Sequence, residues 1–197
     1  MTAEVYDRIY AAAEPYWTVR ATDVHTPISY AFAKELLRSF PDADAGIVLP
    51  AILFHDVGYG DVPEDDRVRG LVGAPVGWDP ELTRRHEIAG ARIAGEVLRD
   101  LGYDEERTRR VQEIIDGHDS REQAMSVEDA IVKDADKLWR YTDSGIRTSC
   151  GWMSMTHAAF MEYVESKIET WFLTEPGARL ARETLAASRS RLGSTEG

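Results

Sequence analysis

Residues 45–56, AGIVLPAILFHD, decide the fold of this 197-residue chain. Asp44, directly before them, is a residue type favoured as a helix N-cap, and the apolar run that follows is almost unbroken. We therefore expect a helix that is buried on most of its sides at the centre of the molecule. The run ends on His55 and Asp56. A carboxylate in such a place is costly unless a partner compensates for its desolvation.

The rest of the chain predicts more helices around this one. Apolar residues recur at helical spacing, and no segment has the β-branched runs typical of strands. We predict an all-α fold and one domain over residues 1–197. The expected helices span about 2–16 (capped by Thr2), 23–40 (capped by Asp23), 44–56, 81–101 (ended by Gly102), 104–118, 127–141, 154–172 and 176–192. Residues 57–80 are rich in Gly, Pro and Asp and predict a long loop, and residues 193–197 predict a frayed tail.

Composition limits the classes of function. The formal charge of -12 opposes binding to polymeric nucleic acid, whereas a small phosphorylated substrate stays possible because a metal and a few basic residues can reverse the local charge. The single Cys150 excludes an intrachain disulfide and a multi-cysteine zinc site, so nitrogen and oxygen must bind any metal. No apolar run reaches the ~18 residues of a membrane span, and the first residues do not resemble a leader, so we expect a cytoplasmic protein without a membrane partner.

Four of the five histidines share one pattern. They are separated by 30, 31 and 32 residues, and each lies near the end of a predicted helix on its buried side: His25, His55, His86 and His118. Asp136 shares a helix face with Val132 and Trp139 and is a buried carboxylate of the same costly kind. Imidazole and carboxylate together suit one or two divalent ions of Mn, Fe, Co, Ni or Zn, or of Mg if carboxylates dominate. His157 lies outside the pattern and is interpreted as a packing residue.

This ordered set, H…HD…H…H…D, resembles the signature of the HD-domain superfamily of metal-dependent phosphohydrolases. The matching pieces are AILFHDVGY (51–59), RRHEIAGARIA (84–94), IIDGHDS (114–120) and IVKDADKL (131–138), within a resemblance that covers residues 20–145. It implies a helical HD-domain fold in which His25, His55, Asp56 and Asp136 bind one metal. His86 and His118 then bind a second metal or contact the substrate phosphate, and Asp56 bridges the two ions.

The resemblance also implies a reaction. A small phosphorylated metabolite or nucleotide is hydrolysed by attack of a metal-bound hydroxide, with Asp56, His86 and His118 as catalytic residues. Four basic residues beside the ligands are candidates for binding the substrate phosphate: Arg85, Arg121, Lys137 and Arg140. Tyr59 stands where some nucleotidase members have a Glu, and this departure weakens a 5′-nucleotidase assignment.

Two other functions remain open. Some HD-domain proteins, such as the family of myo-inositol oxygenase, hold two irons with the same six ligands and activate dioxygen, and ligand identity alone does not separate the two chemistries. A non-catalytic binding module is the third possibility. Of the neighbouring acids, Asp119 is interpreted as incidental and Asp134 as a partner of a ligating histidine. We expect three of the tryptophans to pack in the core or on the surface rather than to line a pocket: Trp78, Trp139 and Trp152.

Overall fold

The computed structural model describes residues 2–63 and 79–193. In those ranges every regular element is helical, which confirms the all-α prediction. The α-helices are α1 (Ala3–Ala13), α2 (Thr22–Leu37), α3 (Ala45–Phe54), α4 (Pro80–Asp100), α5 (Glu105–Ile115), α6 (Val127–Leu138), α7 (Asp143–Met153), α8 (His157–Trp171) and α9 (Glu175–Gly193). The predictions made for Trp78, for most of the 57–80 loop and for residues 194–197 lie outside the described residues.

Helix α3 lies at the centre of the fold, as its sequence predicts. All of its residues from Gly46 to Phe54 are buried, and helices α1, α2, α4, α5 and α6 pack around it. The Asp44 side chain accepts a hydrogen bond from the Gly46 N–H at 2.8 Å and caps the helix. Burial of each large apolar side chain here contributes about 1.5–3 kcal/mol. This packing determines where the end of α3, and with it His55, lies.

Several helix ends differ from the predictions. Ala21, not Asp23, occupies the N-cap of α2, in the left-handed conformation with φ 55°. The first helix ends at Ala13, because Pro15 lacks the N–H that would continue it, and a 3-10 helix follows over Glu14–Tyr16. Thr2 is at the N-cap of α1, but its side chain makes no capping hydrogen bond.

Two helical segments were not predicted from the sequence. Helix α7 begins after Thr142, whose hydroxyl accepts from the Gly145 N–H, and it leads into α8, which starts at His157 rather than at Ser154. The first part of the predicted loop, Val57–Asp61, forms a 3-10 helix. It packs against α4 so closely that a Cβ atom on Gly58 would lie 1.9 Å from the His86 carbonyl oxygen. Only a glycine permits this approach.

The C-terminal helices are attached to α6 by a buried carboxylate. Asp134 accepts hydrogen bonds from the Leu173 N–H at 2.8 Å, the Thr174 N–H at 3.0 Å and the Thr174 hydroxyl at 2.6 Å. Asp134 therefore holds the turn between α8 and α9, and its predicted role as a partner of a ligating histidine is not what the structure shows. No helix among the described residues has the length and apolar character needed to cross a membrane.

Candidate metal centre

Three helices bring the first group of side chains together. His25 lies in the first turn of α2, His55 follows the last turn of α3, and Asp136 lies in the last turn of α6. The Nε2 atoms of His25 and His55 are 2.8 Å apart. The Asp136 Oδ1 atom is 3.1 Å from His25 Nε2 and 3.4 Å from His55 Nε2. All three side chains are buried, so this is a converging polar group inside the helical core.

Asp56 joins this first group to a second one. Its Oδ2 atom lies 3.5 Å from the Nε2 atoms of both His25 and His55. Its Oδ1 atom lies 3.7 Å from His86 Nε2 and 3.5 Å from His118 Nε2, and these two Nε2 atoms are 3.4 Å apart. The six predicted ligands are thus brought together as two lobes, each containing two histidines, that share the Asp56 carboxylate.

Two of the imidazoles are held in one orientation by helix ends. His55 Nδ1 lies 2.8 Å from the Ile52 carbonyl oxygen, and His118 Nδ1 lies 2.9 Å from the Ile115 carbonyl oxygen. A carbonyl only accepts, so each Nδ1 must carry the proton, and in the neutral ring the Nε2 lone pair is left facing the centre. This arrangement of a backbone acceptor behind the ring is typical of metal-ligating histidines.

His118 reaches the centre from a loop, not from a continued helix as predicted. Helix α5 ends at Ile115, and Gly117, with φ 144°, turns the chain back toward the centre. The buried Glu87 carboxylate accepts from the N–H groups of Asp119 at 2.9 Å and Ser120 at 2.7 Å, and from the Ser120 hydroxyl at 2.7 Å. These hydrogen bonds fix one side of the loop.

Lys133 fixes the other side of this loop. Its buried Nζ donates to the carbonyl oxygens of Gly117 at 2.8 Å, His118 at 2.6 Å and Arg121 at 2.7 Å. All three N–H bonds of the ammonium group are therefore used by the backbone. His118 is positioned by two buried charges of opposite sign that contact the loop carrying it.

Asp119, interpreted from sequence as incidental, lies beside the second lobe. Its Oδ2 atom is 3.7 Å from His86 Nε2 and 3.8 Å from His118 Nε2. The second His-Asp dipeptide in the sequence was the available signal, but helical periodicity could not show where a loop residue points. The second lobe thus has a carboxylate besides Asp56, as the first lobe has Asp136.

The close packing of imidazoles and carboxylates shifts their pKa values. Burial raises the pKa of Asp56, but the nearby His55, His118 and His25 outweigh it and hold that pKa well below its usual range. Burial and the neighbouring His118 lower the pKa of His86 to about 4. Burial also lowers the pKa of His118, yet the carboxylates of Asp119 and Asp56 raise it overall to about 10. Asp56 therefore remains ionised and attracts positive charge to both lobes.

The donor set fits a divalent metal. Ligand atoms that bind one ion at about 2.0–2.2 Å lie at most about 4.4 Å apart. Within each lobe, the distances from a histidine Nε2 atom to the other donor atoms all fall below that limit. The shortest is 2.8 Å, between the Nε2 atoms of His25 and His55, and the longest is 3.8 Å, between His118 Nε2 and Asp119 Oδ2. Imidazole with carboxylate is the ligand chemistry of first-row divalent ions. His25, His55 and Asp56 form one group able to hold a metal, and Asp56, His86 and His118 form another.

A wall of stacked side chains lies beside both lobes and consists of Tyr59, Arg20, Trp152 and Trp139. Arg20 was not predicted from the sequence to lie near the centre. The Tyr59 ring stacks on His86 with centroids 3.9 Å apart, and the Arg20 guanidinium carbon lies 3.7 Å from the Tyr59 centroid. Arg20 also lies 5.4 Å from Trp152. Its Nε and Nη1 atoms are buried and find no hydrogen-bond partner in the described part of the chain, and its backbone is left-handed with φ 53°.

Two tryptophans connect this wall to the first lobe. Trp152 packs against Trp139 with ring centroids 5.9 Å apart, and Trp139 packs edge-on against His25 with centroids 4.6 Å apart. Trp139 is buried, whereas Trp152 is only partly buried. Both therefore pack beside the centre.

The four predicted phosphate-binding residues are in different environments. Arg140 Nη1 lies 3.6 Å from Asp136 Oδ2, and Lys137 borders a cavity with Asp119 and Asp136. Arg121 instead bonds Asp129 at 2.8 Å and two backbone carbonyls. Arg85 is exposed on α4. The structure therefore brings Arg140 and Lys137 to the centre and leaves Arg85 exposed. The Arg121 guanidinium binds Asp129 and backbone carbonyls, and it also borders a neighbouring cavity together with His118 and Asp119.

These features define a helical protein with a buried His/Asp cluster suited to binding divalent metal. The model of the HD domain matches residues 22–140, more than half of the chain, and the chain belongs to this family. No curated protein and no solved structure matches the chain significantly.

Proposed function

We propose that this protein is a metal-dependent phosphohydrolase that binds two divalent ions and hydrolyses a phosphoester of a small metabolite or nucleotide. The observation that carries the proposal is the position of Asp56, whose two carboxylate oxygens face two different pairs of histidines. A carboxylate shared in this way can hold two metal ions side by side, as two-metal hydrolytic sites do. The family assignment supports the same class of chemistry.

Each ion would have its own set of ligands. His25, His55, Asp136 and the Oδ2 atom of Asp56 would hold the first. His86, His118, Asp119 and the Oδ1 atom of Asp56 would hold the second. Four imidazoles favour Mn, Fe, Co, Ni or Zn over Mg. When bound, such ions lower the pKa of a coordinated water and neutralise charge that develops on the phosphoryl group.

Arg140 and Lys137 would bind the phosphoryl oxygens of the substrate. Both border a cavity of about 150 Å³ that also contacts Asp119 and Asp136. The Arg140 guanidinium already faces the centre through its 3.6 Å approach to Asp136. Charged hydrogen bonds from Arg and Lys to phosphate are strong, so two local cations suffice in a protein whose net charge is -12.

The test is metal analysis of protein purified without oxygen, followed by assays of phosphate release from a panel of phosphorylated metabolites and of oxygen consumption. We expect about two metal ions per chain and phosphate release that does not require oxygen. Asp56→Ala should abolish both metal content and turnover, whereas Asp42→Ala, at an exposed position, should change neither.

The two other functions give different results in the same experiment. Two irons with oxygen uptake and no phosphate release would make the protein an oxygenase and overturn the hydrolase proposal. Metabolite binding without turnover in either assay would indicate a binding module. Full activity of the Asp56→Ala variant would contradict every function that depends on this centre.

A further inference from the structure

Two adjoining cavities extend from the metal centre along the outer side of α6 toward the end of α8. The inner one, of about 150 Å³, contacts Asp119 and Asp136. The outer one, of about 280 Å³, is bordered by the exposed residues Glu122, Thr170 and Leu173. Both cavities share Asp119, Lys137 and Trp171 as lining residues. The space therefore runs from the metal ligands to the surface and suits a small molecule rather than a polymer.

Charged side chains line most of both cavities, and one aromatic side chain lies among them. The inner cavity combines carboxylates of the centre with the cations Arg140 and Lys137, which suits a metal-bound phosphoryl group. Trp171 is the aromatic side chain that borders both cavities. An indole offers a flat apolar surface against which a planar group can stack. Next to the place where the phosphoryl group would bind, one side of the cavity is therefore apolar.

Trp171 is held in a defined position relative to the metal ligands. It is the last residue of α8, and its ring packs edge-on against Tyr163 with centroids 5.8 Å apart. Two and three residues after Trp171, the N–H groups of Leu173 and Thr174 donate hydrogen bonds to Asp134. Asp134 lies on α6, two residues before Asp136. The same helix thus carries a proposed metal ligand and anchors the turn that follows Trp171. Such rigid support is what a residue that orients a substrate needs.

We propose that Trp171 determines substrate specificity by packing against a planar, apolar group attached directly to the phosphoryl end of a small substrate. The proposal rests on the proposed function for the phosphoryl end, and it narrows the substrate class to small monoesters with an aromatic or similarly flat group. Trp171 lies outside residues 22–140, so the specificity comes from the part of the chain beyond the match to the family.

The experiment measures binding of two non-hydrolysable probes, phenylphosphonate and methylphosphonate, to the metal-loaded full-length protein by calorimetry. We expect the wild-type protein to bind phenylphosphonate roughly tenfold more tightly, the size of effect that one aromatic contact supplies. Trp171→Ala should remove this preference and leave methylphosphonate binding unchanged. Trp171→Phe should keep most of the preference, and Lys137→Met should weaken both probes alike.

Controls separate specificity from folding. Tyr16→Ala removes an exposed aromatic side chain that does not border these cavities, and it should keep the preference. Thermal melting and metal content should be measured for each variant. If Trp171→Ala does not fold, Trp171→Leu tests the same point, because it keeps apolar volume without the ring and should lose most of the preference.

The outcomes distinguish this proposal from the proposed function. A Trp171 variant that folds, binds metal and keeps the wild-type preference overturns the role of Trp171 alone. Wild-type protein that binds neither probe overturns both this role and the phosphoryl site of the proposed function. Phenylphosphonate binding that depends on Trp171, without release of phosphate from phenyl phosphate, supports the role of Trp171 and contradicts only the hydrolase assignment.

Discussion

Replacing Gly58 by alanine should damage both the fold and the metal centre. The added Cβ would lie 1.9 Å from the His86 carbonyl oxygen and 2.5 Å from the Gly90 nitrogen. Real Cβ atoms do not approach closer than 3.0 Å, and both neighbours are backbone atoms that no rotamer change can move. The 3-10 helix or α4 must therefore shift by more than about 1 Å, which separates Asp56 from His86.

The magnitude follows from the same contact. Overpacking costs about 1–3 kcal/mol, and we expect the upper end because two backbone segments must separate. In a chain of this size each kcal/mol lowers the Tm by about 2–4 °C, so the Tm should fall by roughly 6–12 °C. A displacement of about 1 Å at a site that performs catalysis can cost about a hundredfold in rate, so we expect any activity to fall by about that factor.

The measurements are thermal unfolding followed by circular dichroism and metal content by elemental analysis. Gly60→Ala is the matched control, because Gly60 lies in the same 3-10 helix and an added Cβ there meets nothing within 4 Å. A Gly58→Ala variant with the melting temperature and metal content of the Gly60→Ala variant would refute the reasoning about this contact.

Four further outcomes are expected. Asp56→Asn should lower metal content by nearly two equivalents, whereas Asp136→Asn should remove about one, as measured by elemental analysis; equal losses would contradict the bridging position. Glu87→Gln should destabilise the chain by about 2 kcal/mol in urea unfolding and weaken the second ion most, since the amide cannot accept all three loop hydrogen bonds. Asp134→Ala should cost about 2–3 kcal/mol and leave metal content unchanged. A chelator should lower the Tm, and readdition of metal at about 100-fold over Kd should restore about 2.7 kcal/mol; an unchanged Tm would argue against a metal bound by the folded chain.

The sequence predicted that the candidate ligands on α3 and α6 converge because they lie in or next to apolar runs with a strong pattern. The continuous apolar segment of α3 fixes the position of His55 and Asp56, and the periodicity of α6 places Asp136 on a buried face. Helix ends were predicted less well. Ala21 adopts a left-handed conformation before α2, and α5 stops three residues short of His118. Both depend on tertiary contacts and on single backbone angles that residue type does not reveal.

Arg20 and Asp119 could not be assigned from sequence for a related reason. Arg20 lies in a turn, and its relation to the centre comes from its contact with Tyr59, which is distant in sequence. Asp119 faces the second lobe because Glu87 and Lys133 hold its loop from two other helices. Periodicity relates residues of one helix to each other, and these contacts join different elements. The hydrophobic pattern therefore predicts where the centre lies, but it does not predict the residues from turns and loops that surround the centre.

Asp134 and Asp136 show what separates a structural buried acid from a candidate ligand. Residues two apart on a helix point to nearly opposite sides, so both can be buried against different neighbours. The Asp134 oxygens accept three hydrogen bonds from backbone and hydroxyl donors, which satisfy its charge without an ion. Asp136 Oδ1 instead faces the Nε2 atoms of His25 and His55, and the ring of His55 is oriented so that it presents a lone pair there. Acceptors that converge on acceptors favour a cation between them, and this arrangement, rather than burial alone, makes Asp136 a candidate ligand.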